Sequence, residues 1–95
     1  MAITVHTMGL VAVELPAQLQ IESDPQLGVR LRELVFDRLA VYDPKLPQAL
    51  VDDQGQLNPG YAILVDGRNA TQIGGLDLYV RDGATVLITA MVSGG

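Results

Sequence analysis

The chain has no cysteine among its 95 residues. That absence excludes disulfides, iron–sulfur clusters, thiolate zinc sites and cysteine nucleophiles. Histidine is nearly absent as well, since His6 stands alone. Without a second imidazole or a thiolate, a transition-metal site lacks its usual donors. A solvated strand histidine is the expected role of His6. Long apolar runs are missing too: no stretch approaches the roughly 20 residues that cross a bilayer. Residues 1–6 have neither the basic start nor the apolar run of a signal peptide, so the cytoplasm is the expected location. Positive charge is scarce, with 6 Lys and Arg against 11 Asp and Glu and a formal net charge of −5. An acidic balance argues against nucleic acid and membranes as partners and favours a protein with a basic face.

What is present is enough for one small folded domain, with 48% hydrophobic residues, too apolar for a disordered chain. Ile3-Thr4-Val5-His6-Thr7 and Gln18-Leu19-Gln20-Ile21-Glu22 alternate apolar and polar, the signature of half-buried strands. Residues 9–16 would form the hairpin end between them. Asp24-Pro25 reads as a helix start, a capping side chain followed by proline at the first helical position. Leu27, Leu31, Leu34, Val35 and Leu39 then recur at helical spacing and predict one apolar stripe. Pro44 disfavours helical geometry at Asp43, so the helix should end near Val41-Tyr42.

Residues 45–59 allow a short helical turn through Leu46, Ala49, Leu50 and Val51, followed by a loop at Asp52-Asp53-Gln54-Gly55. Tyr61-Ala62-Ile63-Leu64-Val65 is a strong strand. Asp66-Gly67 signals a tight hairpin, with a short strand expected over residues 68–72. Gly74-Gly75 breaks the chain, and Arg81-Asp82-Gly83 turns it into a last strand over residues 85–90. One helix on one face of a mixed sheet of about four to five strands is an α+β arrangement. The first and last strands are both apolar enough to be central neighbours.

Most candidate sites reduce to structure. Asp52-Asp53 lacks the ligand spacing of a calcium loop. Gly74-Gly75 belongs to neither a Rossmann nor a Walker pattern. Ser93 has no His-Asp set to activate it. The sheet is different. Side chains alternate along a strand, so one helix cannot bury both faces. If Ile63, Val65, Val86 and Ile88 face the helix, then Leu64, Leu87 and Met91 face away and form an apolar patch suited to a protein partner.

The sequence closes on Gly94-Gly95. A Gly-Gly end passes through a channel too narrow for other residues, and Gly95 is expected to present a free α-carboxylate. Residues 92–95, fully extended, reach roughly 13 Å. The expected organisation is therefore a domain over residues 1–91 and a tail over residues 92–95. The ending Val92-Ser93-Gly94-Gly95 after a strand, the Asp82-Gly83 turn entering Val86 and Ile88, and the strand–helix order resemble the MoaD/ThiS family. Its members are ubiquitin-like sulfur carriers with a β-grasp fold.

That resemblance implies a mechanism. A MoeB/ThiF-like adenylyltransferase, using ATP, converts the terminal carboxylate to an acyl adenylate, and a persulfide donor turns it into a thiocarboxylate. The carrier itself binds no cofactor or metal and is not an enzyme. Gly95 would be the reacting residue, Gly94 would allow passage of the tail, and Leu64, Leu87, Met91, Val92 and Ser93 would meet the partner. The sulfur-accepting partner is a synthase subunit or another biosynthetic enzyme. The chain's length points to the small subunit of molybdopterin synthase, hence to molybdenum or tungsten cofactor synthesis. Residues 24–29 and 63–76 also resemble CysO-type carriers used in cysteine synthesis. A ubiquitin-like modifier that forms an isopeptide through Gly95 remains the third reading.

Overall fold

Period-two alternation builds the sheet. The computed structural model describes residues 2–8 and 16–90. Strand β1 (Ala2–Met8) buries Ile3 and Val5, and β2 (Gln18–Glu22) buries Leu19 and Ile21. The two pair antiparallel, with Ile3 opposite Ile21 and Val5 opposite Leu19. On the other side of β1 lies β7 (Thr85–Ala90), running parallel, with Val5 beside Val86. A parallel pair cannot be joined by a tight turn, and here the intervening chain carries the helix across one face. Strand β4 (Tyr61–Val65) pairs antiparallel with β7, Ile63 opposite Ile88, and β5 (Arg68–Asn69) completes the order β2-β1-β7-β4-β5. The expected central neighbours, first and last strand, are in place.

The Asp66-Gly67 hairpin forms as its dipeptide predicts, with φ of 50° and 84°, the left-handed pair that a two-residue turn between twisted strands requires. The strand beyond it is shorter than expected. Asn69 Oδ1 accepts the Thr71 N–H at 3.0 Å, and this cap bends residues 70–72 into a 3-10 turn instead of continuing the ladder.

One helical run, α1, covers the inner face. It starts as Leu31–Glu33, widens to a π-helix over Leu34–Arg38 and tightens to a 3-10 turn over Leu39–Val41. Leu31, Leu34, Val35 and Leu39 are fully buried, as are Ile3, Val5, Val86 and Ile88 across from them in the same cluster. Burying each large aliphatic side chain stabilises the fold by roughly 1.5–3 kcal/mol. The run stops where Pro44 requires: Tyr42 and Asp43 N–H both donate to Leu39 O at 3.0 and 3.3 Å. Asp43 then accepts the Lys45 N–H at 2.9 Å and opens a second helix, α2 (Lys45–Leu50). Leu46 and Leu50 of α2 sit in the main cluster, so this helix is part of the core.

The start of α1 corrects the sequence reading. Asp24-Pro25 does not begin the helix. Asp24 Oδ1 accepts from Gln26 N and Leu27 N at 2.7 and 2.8 Å, and Gly28 N donates to Asp24 O at 2.9 Å. The capping chemistry is present, but it closes a turn. The Leu27 N–H first, and the Gln26 N–H second, hold the Asp24 carboxyl below its usual range. Gly28 follows with φ +72°, and a Cβ there would stand 2.2 Å from Val80 O. This close approach lets β3 (Val29–Arg30) pair with β6 (Tyr79–Val80) in a separate two-stranded ladder. The sequence reading contains neither strand. Leu27 is consequently no part of the core stripe; it is 72% exposed.

Candidate functional site

The face of the sheet turned away from α1 is set by the alternation that buries Ile63, Val65, Val86 and Ile88. Register places one continuous row across it. Gln18 pairs with His6, His6 with Leu87, Leu87 with Leu64, and Leu64 with Asn69. The predicted pair Leu64 and Leu87 is thus brought side by side at the centre of the sheet, both half-buried. Directly opposed strand side chains have Cβ atoms only about 4.5–5.5 Å apart, so the two leucines form one apolar contact.

His6 flanks Leu87 on the same face and is half-buried. A solvated histidine was expected; the structure puts the ring next to the leucine pair, a neighbour that sequence reasoning did not identify. The signal was available in the parity of β1, because a buried Val5 forces His6 outward. The rows on either side are polar or small apart from Met8. Gln20, Thr4 and Thr85 form one, in which Gln20 Nε2 donates to Thr4 Oγ1 at 3.0 Å. Met8, Thr89 and Ala62 form the other, toward the end where β7 finishes, and Met8 is 61% exposed.

The end of β7 is firmly anchored. Ala90 pairs with Tyr61 on β4, and Thr89 lies beside Met8 on β1. Met91, Val92, Ser93, Gly94 and Gly95 lie outside the described residues. The remaining sequence candidates resolve into turns. Asp52 Oδ1 accepts from Gln54 N and Gln56 N at 2.9 and 3.0 Å, which accounts for the acidic loop. Gly74, at φ +132°, precedes the 3-10 turn Gly75–Asp77. Among the described residues no three His, Cys, Asp or Glu side chains converge on a common metal position. No helix among them is long and apolar enough to cross a membrane.

No protein-family model matches the chain, and no curated protein matches it. Solved structures do. The solution structure of Urm1 from Trypanosoma brucei is 32% identical at a TM-score of 0.76, and the match covers 99% of this chain and 95% of that one. The chain belongs to the ubiquitin-like sulfur carrier and modifier family of the MoaD/ThiS type. Two further structures share the β-grasp fold at lower identity. The solution structure of small archaeal modifier protein 1 from Methanosarcina acetivorans is 19% identical at a TM-score of 0.70, covering 99% of this chain and 96% of that one. The crystal structure of the Amycolatopsis orientalis BexX/CysO complex contains a chain 21% identical at a TM-score of 0.71, covering 99% of this chain and all of that one. The mixed five-stranded sheet with its main helix on one face is therefore a β-grasp.

Proposed function

We propose that the chain is a sulfur carrier whose reacting group is the Gly95 carboxylate. The observation that carries this reading is the position of β7. It is hydrogen-bonded on both sides at the centre of the sheet, and its last residue, Ala90, is separated from the Val92-Ser93-Gly94-Gly95 sequence by Met91 alone. A rigid strand fixes the base of the tail, and two glycines keep its tip thin enough for a narrow channel. A MoeB/ThiF-like partner would supply ATP and the catalytic groups. Attack of the carboxylate oxygen on the α-phosphorus forms the acyl adenylate and releases pyrophosphate. The terminal sulfur of a persulfide on the partner or donor then attacks the acyl carbon and displaces AMP, and a second thiol cleaves the resulting acyl disulfide, leaving the thiocarboxylate on the chain and a disulfide on the donor side. The Leu64–Leu87 contact, with His6 beside it, supplies the docking face, and Met91, Val92 and Ser93 extend the contact toward the partner's channel.

The acceptor we propose is molybdopterin-type cofactor synthesis, with this chain as the small, non-catalytic synthase subunit. The chain's length supports that assignment. The likeness to small archaeal modifier protein 1 and to the CysO complex supports two others, isopeptide formation through Gly95 and sulfur transfer to cysteine synthesis. Gly94→Val tests the shared first step. The variant is expected to melt with the wild type and to fail in ATP–pyrophosphate exchange with the cognate adenylyltransferase. Normal exchange by the variant overturns the role given to the tail.

A further inference from the structure

The two edges of the main sheet are finished differently. At one edge β5 is only two residues long, and the Asn69 cap bends the chain out of the ladder beyond it. At the other edge β2 keeps five residues with neither lysine nor proline, and its one charge, Glu22, stands at the end. Short strands, lysines and prolines are the usual means of closing an edge to further pairing, and β2 lacks all three. Parity fixes which of its backbone groups are open. Thr7 N donates to Ala17 O at 3.1 Å. The hydrogen-bonded pairs recur every second residue, so Val5–Leu19 and Ile3–Ile21 are the next two. Thr4 N points the other way and donates to Ala84 O beside β7 at 3.0 Å. The Leu19 and Ile21 backbone is therefore engaged with β1, while the N–H and C=O groups of Gln18 and Gln20 point out of the sheet. No described residue meets them there.

Beside this edge, on the α1 side, lies an open groove of about 260 Å³ bordered by Ile21, Arg38, Val41 and Tyr42. Val41 is 81% exposed and Tyr42 50%, although Leu34 and Leu39 of the same helical run are fully buried. The groove has a fixed floor. Ile21 belongs to the core, and Arg38 Nη1 donates to Glu22 O at 3.2 Å, which ties the helix to the end of β2. Side chains of a strand added here would alternate between the two faces. Those opposite Leu19 and Ile21 fall on the α1 side, against Val41 and Tyr42. Those opposite Gln18 and Gln20 fall on the polar outer face.

From this arrangement we infer that β2 receives an extended segment of a partner protein as an additional antiparallel strand. The segment carries aliphatic side chains opposite Leu19 and Ile21, with lysine or threonine opposite Gln18 and Gln20. The basic choice follows from the net charge of −5, which draws a positively charged partner. An extended backbone is the occupant that the open edge selects. A helix keeps its own groups paired and would cover the Gln18 and Gln20 groups without bonding them, whereas a strand bonds them directly. Antiparallel pairing is the more stable of the two strand directions. A second copy of this chain is disfavoured, because the register that joins the two Val41–Tyr42 surfaces sets Glu22 against Glu22, like charges directly opposed. The groove lies toward the start of β1, where Ile21 faces Ile3, while the sequence continues to Gly95 from the far end of β7. The site is thus independent of the role given to Gly95.

The test uses the full chain, labelled with nitrogen-15, and a capped synthetic peptide of about seven residues, long enough to span β2 at about 3.3 Å per residue. The peptide alternates lysine or threonine with valine. Saturable amide shifts are expected at Gln18, Gln20, Val41 and Tyr42, with the Leu27 and Leu64 amides unmoved. In the proposed register the lysine and threonine amides face Gln18 and Gln20, and the valine amides face solvent. N-methylation of the first set should abolish binding, and N-methylation of the second should be tolerated. Gln18→Pro removes one outward donor and no ladder bond. It should weaken binding about tenfold, equivalent to about 1.4 kcal/mol, with melting retained, and Val41→Asp should cost a similar factor. Absence of saturable shifts, shifts centred elsewhere, or equal or reversed effects of the two methylation patterns overturns the proposal. So does a chain that sediments as a dimer until Gln18→Pro separates it, since the edge then belongs to a second copy.

Discussion

Replacing Gly28 with alanine isolates the contact that reorganises the first half of this chain. Gly28 sits at φ +72°, where an added Cβ meets Val80 O at 2.2 Å, Val80 C at 3.0 Å and Arg81 Cα at 3.1 Å. All three atoms are backbone, so no side chain can swing aside. The left-handed conformation alone costs an L-residue roughly 1–2 kcal/mol. Forcing β3 and β6 apart adds an overpacking cost of about 1–3 kcal/mol. The expected total of about 2–5 kcal/mol is a large share of the roughly 5–15 kcal/mol that holds a small domain together. At about 4–8 °C per kcal/mol for a domain of this size, the melting temperature should fall by at least about 8 °C. Gly55→Ala is the matched control, because Gly55 has φ +77° but no atom within 4 Å of the point a Cβ would occupy. It should lose only the conformational part, roughly 1–2 kcal/mol. Urea unfolding of both variants reads the difference directly. Equal losses, or a Gly28→Ala loss under about 1 kcal/mol, would refute the close approach as the cause.

Leu34→Ala, at a fully buried position, should cost about 2–5 kcal/mol in the same assay through the cavity it leaves; a near-neutral result would contradict the packing of α1 on β1 and β7. Asp24→Ala should destabilise at neutral pH, because the folded carboxyl is stabilised in its charged form by the Leu27 and Gln26 amides. A lowered folded pKa means that this contribution is present above the ordinary carboxylate range and disappears as pH falls through the folded value. The two proteins' stabilities should therefore converge in acid, and a gap that widens on acidification would reverse the assignment. Leu87→Asp places a charge in the Leu64–Leu87 contact and should abolish binding to the adenylyltransferase in calorimetry while the far-ultraviolet spectrum stays native. Unchanged affinity would remove that face from the interface.

The sheet was legible because its signals are local. Alternation in residues 3–7, 18–22, 61–65 and 85–90 specified which side chains go inside, and Asp66-Gly67 specified a hairpin. The misreading at residues 24–30 has a physical cause. An aspartate that caps a helix and one that closes a turn accept the same backbone amides, so Asp24-Pro25 fits both. The choice is made by Val80 and Tyr79, about fifty residues away, which pair with Val29 and Arg30. Two-residue strands are too short to show periodicity. Leu27 was drawn into the stripe by spacing alone, because a leucine a few positions ahead of an apolar run looks helical wherever the helix begins. The docking row was half legible: Leu64 and Leu87 follow from alternation, but their adjacency, and His6 beside them, depend on strand order and register.

The central claim is that Gly95 carries the chemistry. Its most direct test is the intact mass of the chain after incubation with the cognate adenylyltransferase, ATP, a persulfide sulfur donor and a thiol reductant. The expected result is a gain equal to exchange of one oxygen for one sulfur, located by fragmentation at Gly95 and absent from Gly94→Val. An unchanged mass under conditions that convert a known carrier of this family, or sulfur found anywhere but Gly95, would contradict it.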